Sequence, residues 1–482
     1  MEQKQDGLVP QKNGNGSNNV NHNGPNNVFN GNGSANGNNG APQLEVSEKI
    51  APLKFLFVSL ESLSGDLAWQ LTREGHKVKA YIKSRLDIDV YNGFIEKVPD
   101  WKPYVDESDV IVFDDVEFGE IAEKLRKKGK LVIGGSVYTD KLEMDREFGQ
   151  MEMKKYGINI LPQWQFSNYD EAIDFIGKNP DKYVFKPSGN TPSAGKGLLF
   201  LGQEDDGRDI LELLKQNKDV WQKKAPVFQL QKQVTGVEVA IGAFFNGKDF
   251  IYPININFEH KRMFPGDIGP FTGETGTLMF WSKPNTLFKS TLEKMKSALA
   301  ESGYIGYIDI NCIANGRGIY PLEWTCRFGY PTIQIQLEGI TMPIGEWLLR
   351  LARGEYFELK TKKGFQIGVR IMVPSYFVRD NEGAEIIEFY RDLPVIFKKP
   401  NPNWEGLHIE DVKLEESGIC RIAGTSGCLF VVAGSGTTVE ETRRQVYTRV
   451  KNILVQNAFY RTDIGARWHE DSDKLQTWGY LQ

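Results

Sequence analysis

Short apolar segments alternate with helical patterns from Lys54 onward, and this alternation constrains the fold more than any other feature of the chain. Phe55–Ser59 has the length and composition of a buried strand, and a helix is predicted over Asp66–Glu74 because Gly75 ends its pattern. Further strands are predicted at Val78–Ile82, Val110–Phe113 and Leu131–Ile133, and a further helix at about Glu117–Lys128. Strands that alternate with helices predict a parallel α/β sheet.

The patterns are more mixed in the rest of the chain. The predicted elements are a helix over Lys141–Tyr156, strands over Val227–Gln233 and Glu238–Phe245, a helix over Leu287–Leu299, strands over Gln366–Val373 and Cys428–Val432, and a helix over Val439–Gln456. The fold class is therefore α/β combined with α+β. We predict an N-terminal α/β domain at 51–139, a central domain at 140–350 and a C-terminal mixed-sheet domain at 351–482.

Composition excludes several classes of protein. The 482 residues carry a net charge of −5 without a basic run, which argues against a nucleic-acid partner. No apolar run reaches the roughly 18 residues of a membrane span, and the N-terminus lacks the apolar core of a signal peptide. We therefore expect a cytoplasmic protein with no membrane partner. Residues 1–50 are rich in Asn and Gly and are predicted to be a disordered tail.

A glycine-rich loop follows the predicted strand that ends at Lys186. The segment 186–197 combines this lysine with Gly, Ser and Ala residues and a second lysine, Lys196. Backbone amides and lysines in such a loop can cover a polyphosphate. The segment is not a Walker A loop, because no Ser or Thr follows the Gly–Lys pair. Taken alone, the pattern is equally typical of a turn with surface lysines.

A predicted hairpin, Tyr307–Asn311 followed by Ile319–Thr325, carries acidic residues within apolar sequence. Side chains alternate along a strand, so Glu323 and Thr325 share one face and Asp309 can lie opposite them. Two carboxylates and a further oxygen donor suit a hard cation such as Mg²⁺ held against phosphates. A hairpin with solvated acids is the alternative, but carboxylates in apolar surroundings need a cation or a hydrogen-bond partner.

Two further segments carry cations next to flexible backbone. Phe258–Thr277 contains Lys261 and Arg262 together with several glycines, which suits a charged substrate. Arg327 directly follows the second hairpin strand, and its planar guanidinium can grip a phosphate or a carboxylate. An ordinary solvated surface loop is the alternative for Phe258–Thr277.

Together these segments resemble ATP-grasp ligases, and in particular the phosphoribosylamine–glycine ligase family, along most of residues 54–468. The motifs that carry the resemblance are the helix Leu142–Ile158, Lys186 with Ala194–Gly197, Gly236–Glu238, His260–Arg262 with Gly266–Gly273, Glu323 with Cys326–Gly329, and Tyr460–Gly465. The resemblance implies a central ATP-grasp domain, whose nucleotide-covering part spans about 160–235. It also implies that ATP phosphorylates a carboxylate and that an amine then attacks the acyl phosphate.

The resemblance also implies roles for individual residues. ATP would contact Arg146, Lys186, Lys196, Gln231, Lys232, Gln233 and Glu238, with backbone groups of 231–233 facing adenine. Asp309, Glu323 and Thr325 would hold Mg²⁺ or Mn²⁺, and Lys261, Arg262 and Arg327 would bind the carboxylate or phosphorylated substrate. The expected partners are small carboxylates and amines, and the expected assembly is a monomer or a small homo-oligomer.

The sequence departs from the family mainly where the amine is expected. The family's glycine-rich first turn, which helps to hold phosphoribosylamine, is replaced by Glu61–Asp66, and acids follow Phe113 where the family has Gly-Pro-Glu. Tyr330 stands in place of an acid, Thr325 in place of Asn, and Glu274 in place of a small residue. Three hypotheses follow: the purine-synthesis ligase in divergent form, a ligase for another amine, and a catalytically silent nucleotide-binding paralogue. A bicarbonate-using relative of the carboxylases is less consistent with the closing motif.

Overall fold

In the computed structural model, which describes residues 51–188, 198–374, 387–400 and 404–482, the N-terminal strands and helices alternate as predicted. The strands are β1 (Lys54–Ser59), β2 (Lys77–Ile82), β3 (Glu96–Lys97), β4 (Val110–Phe113), β5 (Val132–Ile133), β6 (Gln163–Phe166), β7 (Tyr183–Pro187), β8 (Phe200–Leu201), β9 (Phe228–Lys232), β10 (Val237–Asn246), β11 (Phe250–Phe264), β12 (Ile268–Ser282), β13 (Ile305–Asn315), β14 (Gly318–Thr325), β15 (Phe365–Met372), β16 (Ile396–Phe397), β17 (Leu407–Ile409), β18 (Val412–Leu414), β19 (Cys420–Ile422), β20 (Cys428–Gly436) and β21 (Ile453–Leu454). The predicted tail, 1–50, lies outside the described residues.

The helices connect and cover these strands. They are α1 (Gly65–Arg73), α2 (Gly119–Lys127), α3 (Val137–Met144), α4 (Arg146–Lys155), α5 (Tyr169–Lys178), α6 (Arg208–Lys224), α7 (Thr286–Ser290), α8 (Lys296–Glu301), α9 (Thr332–Gly339), α10 (Ile344–Ala352), α11 (Val439–Val450) and α12 (Trp468–Thr477), with 3₁₀ turns at Lys102–Tyr104 and Leu292–Met295.

The described residues form five sheets, of which three are large and two are pairs, β16-β21 and β18-β19. The N-terminal sheet is parallel, in the order β3-β2-β1-β4-β5, and β1 is buried from Phe55 to Ser59 as expected for a sheet covered on both faces. A four-stranded sheet has the order β6-β9-β7-β8. The large antiparallel sheet has the order β14-β13-β10-β11-β12-β15-β20-β17, and it crosses the predicted domain boundary at residue 350. The predicted central and C-terminal domains therefore share one sheet.

Two predicted helices are interrupted. The single helix expected over Lys141–Tyr156 is α3 followed by α4, because the Asp145 carboxylate accepts a hydrogen bond from the Phe148 amide (3.0 Å) and caps a new helix. The helix expected over Leu287–Leu299 divides into α7, a 3₁₀ turn and α8. Its break lies at Thr291, whose hydroxyl donates to the Leu287 carbonyl at 2.6 Å.

A buried histidine joins the N-terminal α/β unit to the C-terminal part of the large sheet. The Nδ1 atom of His408 on β17 lies 2.7 Å from Asp66 Oδ2 on α1, and its Nε2 atom lies 3.4 Å from Glu338 Oε1 on α9. Burial alone would lower the pKa of His408, but the two carboxylates outweigh burial and raise this pKa to about 10. The imidazolium therefore bridges two acids from different parts of the chain.

This bridge predicts a loss of stability in alkaline solution. The folded-state pKa of about 10 exceeds the ordinary value of 6.5, so the stabilisation is complete below pH 6.5 and is lost as the pH rises through 10. We expect the unfolding temperature of the wild type to fall by several degrees across that window. His408→Gln should remove most of this dependence. A stability difference between the two proteins that stays constant with pH would contradict the prediction.

Candidate active site

The predicted hairpin is formed by β13 and β14, and one of its faces lines a cavity of about 340 Å³. Asp309 pairs directly with Thr325, and Asn311 pairs with Glu323. Because paired residues of antiparallel strands point to the same side, all four side chains lie on one face of the sheet. The grouping of Asp309, Glu323 and Thr325 predicted from the sequence is therefore present, and Asn311 joins it.

Lys261 on β11 lies among three acids at this face. Its Nζ atom is 2.7 Å from Glu323 Oε1, 3.5 Å from Glu259 Oε2 and 3.8 Å from Glu238 Oε1. Burial would lower the pKa of Lys261, but these carboxylates outweigh burial and raise it well above its usual value. In return, Lys261 lowers the pKa of Glu323 to about 2. The lysine is therefore a fixed positive charge within the acidic face.

Two of the residues assigned to ATP lie in contact on the four-stranded sheet. The buried Lys186 on β7 donates a hydrogen bond from Nζ to Gln231 Oε1 on β9 at 2.7 Å. Burial and the positive charge of Arg146 together lower the pKa of Lys186 to about 7. Arg146 lies in the first turn of α4 and lines the cavity. Glu323 and Lys261 also influence the pKa of Lys186, so Lys186 lies near the acidic face, and Arg146 lines the same cavity.

The oxygen donors of the hairpin fit a divalent cation. Asp309 is buried, and burial together with Glu259 raises the pKa of its carboxyl group well above the usual value. The buried Asn311 Oδ1 accepts no hydrogen bond within the described residues, while its amide group donates to Glu259 Oε2 at 3.0 Å. No three His, Cys, Asp or Glu side chains in the described ranges converge as a complete metal site. This partial set matches Mg²⁺, which commonly takes one or two carboxylates and completes its shell with phosphates and water.

Other predicted residues are not brought to the cavity. Arg262 is one position from Lys261 and points to the opposite side of β11, where Nη1 donates to the Gly269 carbonyl at 2.7 Å and the guanidinium covers the Phe271 ring. Lys232 forms an ion pair with Asp181. The amides of Lys232 and Gln233 donate to the Pro162 and Lys182 carbonyls, so these amides are not available to adenine. Lys196 lies outside the described residues.

Arg327 also lines the cavity, and it contacts the N-terminal α/β unit through Asp115. Its Nε atom lies 2.9 Å from Asp115 Oδ1 and 3.1 Å from Glu143 Oε1. Burial would lower the pKa of Arg327, but Glu143 and Asp115 outweigh burial and raise it. The arginine predicted to grip a substrate anion is thus paired with two carboxylates.

Comparison with known proteins identifies the class. The family model of the phosphoribosylglycinamide synthetase ATP-grasp (A) domain matches residues 144–333, which include the hairpin, Lys186 and Lys261. The phosphoribosylamine–glycine ligase of Streptococcus pneumoniae is 25% identical over 366 residues, which cover 73% of this chain and 82% of that protein. That of Lactococcus lactis is 24% identical over 345 residues, covering 70% and 78%. This chain is an ATP-grasp ligase that resembles phosphoribosylamine–glycine ligase.

Solved structures confirm the predicted fold class of the ligase. The phosphoribosylamine–glycine ligase of Thermotoga maritima covers 86% of this chain and 100% of its own, with a TM-score of 0.63 at 18% identity. A biotin carboxylase from Campylobacter jejuni covers 89% and 97%, with a TM-score of 0.58 at 14% identity. The predicted enzyme class, an ADP-forming ligase that makes C–N bonds, is also confirmed, together with the use of ATP, a divalent cation and small-molecule substrates.

None of the helices in the described ranges is long and apolar enough to cross a membrane.

Four residues of the site were not predicted from the sequence. Glu259 and Asn311 were recognisable in principle, because each lies two positions from a predicted site residue on the same strand and therefore on the same face. Asp115 was noted only as one of the acids that follow Phe113, and Glu143 gave no signal. They reach Arg327 only because the N-terminal sheet and α3 pack against the hairpin.

Proposed function

We propose that the ligase uses ATP to phosphorylate a small carboxylate and then joins the acyl phosphate to an amine, with release of ADP and phosphate. The observation that carries the proposal is the convergence of Lys261, Arg146 and the oxygen face of Asp309 and Glu323 on one cavity. Phosphoryl transfer depends on such charges and on positioning rather than on a protein nucleophile. Ser, Cys and His do not occur among the described residues that line this cavity.

The proposed metal is Mg²⁺, with Asp309, Asn311 and Glu323 as its protein ligands. When bound, it would offset negative charge on the phosphates of ATP. Thr325 hydrogen-bonds to the Asp309 carboxyl group and so fixes its orientation. Lys186 and Arg146 would bind phosphate oxygens, and Lys261 would hold the Glu323 carboxylate in place.

The second step needs no further cofactor. The amine nitrogen attacks the carbonyl carbon of the acyl phosphate, and a C–N bond forms while the bond from carbon to the phosphate oxygen breaks. The phosphate leaves with the electron pair and takes up the proton lost by nitrogen. The relatives named phosphoribosylamine–glycine ligase make glycine and phosphoribosylamine the first substrates to test. Their product would be glycinamide ribonucleotide, an intermediate of de novo purine synthesis.

The activation step can be tested without knowing the amine. Incubation with ATP, Mg²⁺, glycine and hydroxylamine should yield glycine hydroxamate and an equal amount of ADP, because hydroxylamine intercepts acyl phosphates. Acetate in place of glycine serves as the carboxylate control. Replacement of hydroxylamine by phosphoribosylamine then tests the purine reaction through its product. ATP binding without ADP release under any of these conditions would contradict ligase activity and favour a silent nucleotide-binding protein.

Lys186→Ala should weaken nucleotide binding more than turnover. Loss of a charged hydrogen bond to phosphate costs about 1.5–3 kcal/mol, so we expect the KM for ATP to rise about 10- to 100-fold. Lys232→Ala is the matched control, because Lys232 lies on the same sheet but is paired with Asp181. The KM of this control should stay within about twofold of the wild type by the weak contribution of exposed pairs. Equal effects of the two substitutions would refute the role of Lys186.

A further inference from the structure

A crevice at the carboxyl edge of the N-terminal sheet adjoins the active-site cavity. The chain leaves β1 toward β2 on one side, and β4 lies on the other side of β1, so the strand order reverses between β1 and β4. Open α/β sheets bind ligands at this reversal, where helix N-termini favour anions. Tyr330, which lines the cavity, donates a hydrogen bond to the Asp114 carbonyl directly after β4 at 3.0 Å. The crevice and the cavity are therefore neighbours.

The anion position at this crevice is filled by the chain itself. Ser64 directly precedes α1. Its amide (3.0 Å) and its hydroxyl (2.7 Å) both donate hydrogen bonds to Asp114 Oδ2. The Tyr91 ring lies against Gly65, and its hydroxyl donates to the Ser62 carbonyl at 2.7 Å. Burial raises the pKa of Asp114 to about 7, and its carboxyl group occupies the Ser64 donors in either protonation state. A substrate phosphate could not use these groups without displacing Asp114.

Two carboxylates lie against Arg327 where the cavity meets the crevice. Arg327 lines the cavity there, and the carboxylates of Asp115 and Glu143 both lie against its guanidinium. Glu143 is also fixed in place, because Oε2 accepts a hydrogen bond from the Cys326 amide at 2.6 Å. A phosphate monoester placed here would meet like charges, which oppose binding. A protonated or neutral amine would instead find acceptors.

We propose that the acceptor of this ligase is a primary amine without a phosphate group, and that Asp115 and Glu143 receive its N–H groups. The inference rests on the proposed ligase function and specifies the substrate class of the same cavity. It separates this chain from the relatives whose name includes phosphoribosylamine. Lys83 and Arg85 follow β2 at the same edge of the sheet and are not among the residues that line the cavity. They are therefore tested separately.

The test compares amines with their own phosphate esters. ADP release with ATP, Mg²⁺ and glycine is measured with ethanolamine against phosphoethanolamine, and with glucosamine against glucosamine 6-phosphate. Phosphoribosylamine is included as the substrate of the relatives. At least one unphosphorylated amine should raise the rate tenfold or more above the rate without amine, and its ester should not. Acceleration by phosphoribosylamine or by either ester, or acceleration by no unphosphorylated amine, would overturn the proposal.

A binding measurement provides a second arm. The wild type is titrated calorimetrically with ribose 5-phosphate in the presence of ADP and Mg²⁺. We expect no saturable binding with a Kd below about 1 mM, the range expected of a specific phosphate site. Asp115→Asn removes one charge from Arg327 and should strengthen that binding by at least tenfold, whereas the exposed Asp205→Asn should not. Saturable binding to the wild type, including binding lost on Lys83→Ala or Arg85→Ala, would overturn the proposal. Hydroxamate formation from glycine distinguishes this failure from failure of the ligase function, because it needs no acceptor amine.

Discussion

Glu323→Gln should reduce ADP formation by about 10²- to 10³-fold, the size of effect seen when one charge-stabilising group is removed from an active site. Glu323 is the proposed metal ligand that pairs with Lys261 at 2.7 Å, and the amide would remove both its charge and this ion pair. The side chain is half exposed, so the fold should remain intact. Steady-state ADP release as a function of Mg²⁺ concentration is the measurement. The variant should need more Mg²⁺ for half-maximal rate.

Two comparisons make this result specific. Glu358→Gln changes an exposed glutamate outside the cavity and should retain the wild-type rate. Asp309→Asn alters the partner carboxyl group on the same face and should show the same increase in Mg²⁺ requirement. If Glu323→Gln kept most of the activity, or lost it with an unchanged Mg²⁺ requirement, the metal role of Glu323 would be wrong.

Much of the fold was predictable because its signals are local. The buried run Phe55–Ser59 and the helix that ends before Gly75 gave the first βα unit within a residue or two of its true bounds. The break between α3 and α4 was not predicted, because the helical sequence pattern continues through Asp145. Asp145 instead adopts an extended backbone and its side chain caps α4. The continuity of the large sheet across residue 350 was also missed, because strand pairing between distant segments leaves no local mark.

The site shows the same division between local and distant signals. Strand periodicity placed Asp309, Glu323 and Thr325 on one face, as the structure shows. It could not decide which of Lys261 and Arg262 faces the cavity, although it requires the two to point in opposite directions. Lys261 faces the acids and Arg262 covers Phe271. The pairing of Arg327 with Asp115 and Glu143 depends on tertiary packing alone, so strand periodicity could not predict it.

Lys261 and Arg327 are thus paired with different acids of the chain. The acids Glu238, Glu259 and Glu323 surround Lys261, and the proposed metal–ATP complex would bring both positive and negative charge to them. Arg327, which we propose lies beside the acceptor, is already paired with Asp115 and Glu143. In the proposed reaction, the amine could therefore change while the ATP-dependent step is retained, since the residues proposed for each step lie on different elements.

Arg461→Ala should lower the free energy of unfolding by about 3 kcal/mol, as expected when one partner of a buried ion-pair network is removed. Arg461 is 1% exposed and joins the C-terminal segment to the β11–β12 hairpin: Nη1 donates to Asp267 Oδ1 at 2.8 Å, and Nη2 donates to Asp463 Oδ2 at 2.6 Å. Burial would raise the pKa of Asp463, but hydrogen bonds from Arg461 outweigh burial and lower this pKa to about 2. The substitution would leave both acids without this partner. Urea unfolding followed by tryptophan fluorescence measures the change.

The neighbouring Arg467 gives a matched control. It contacts the same Asp267 but is 44% exposed, so Arg467→Ala should lower the free energy of unfolding by less than about 1 kcal/mol.

Because the β11–β12 hairpin also carries Lys261, Arg461→Ala should reduce ADP formation under conditions where the protein is still folded. Arg461→Lys should recover part of the stability, since an ammonium group restores one of the ion pairs but not the planar fork that binds both acids. Equal destabilisation by Arg461→Ala and Arg467→Ala would show that burial of the guanidinium does not determine the strength of this network.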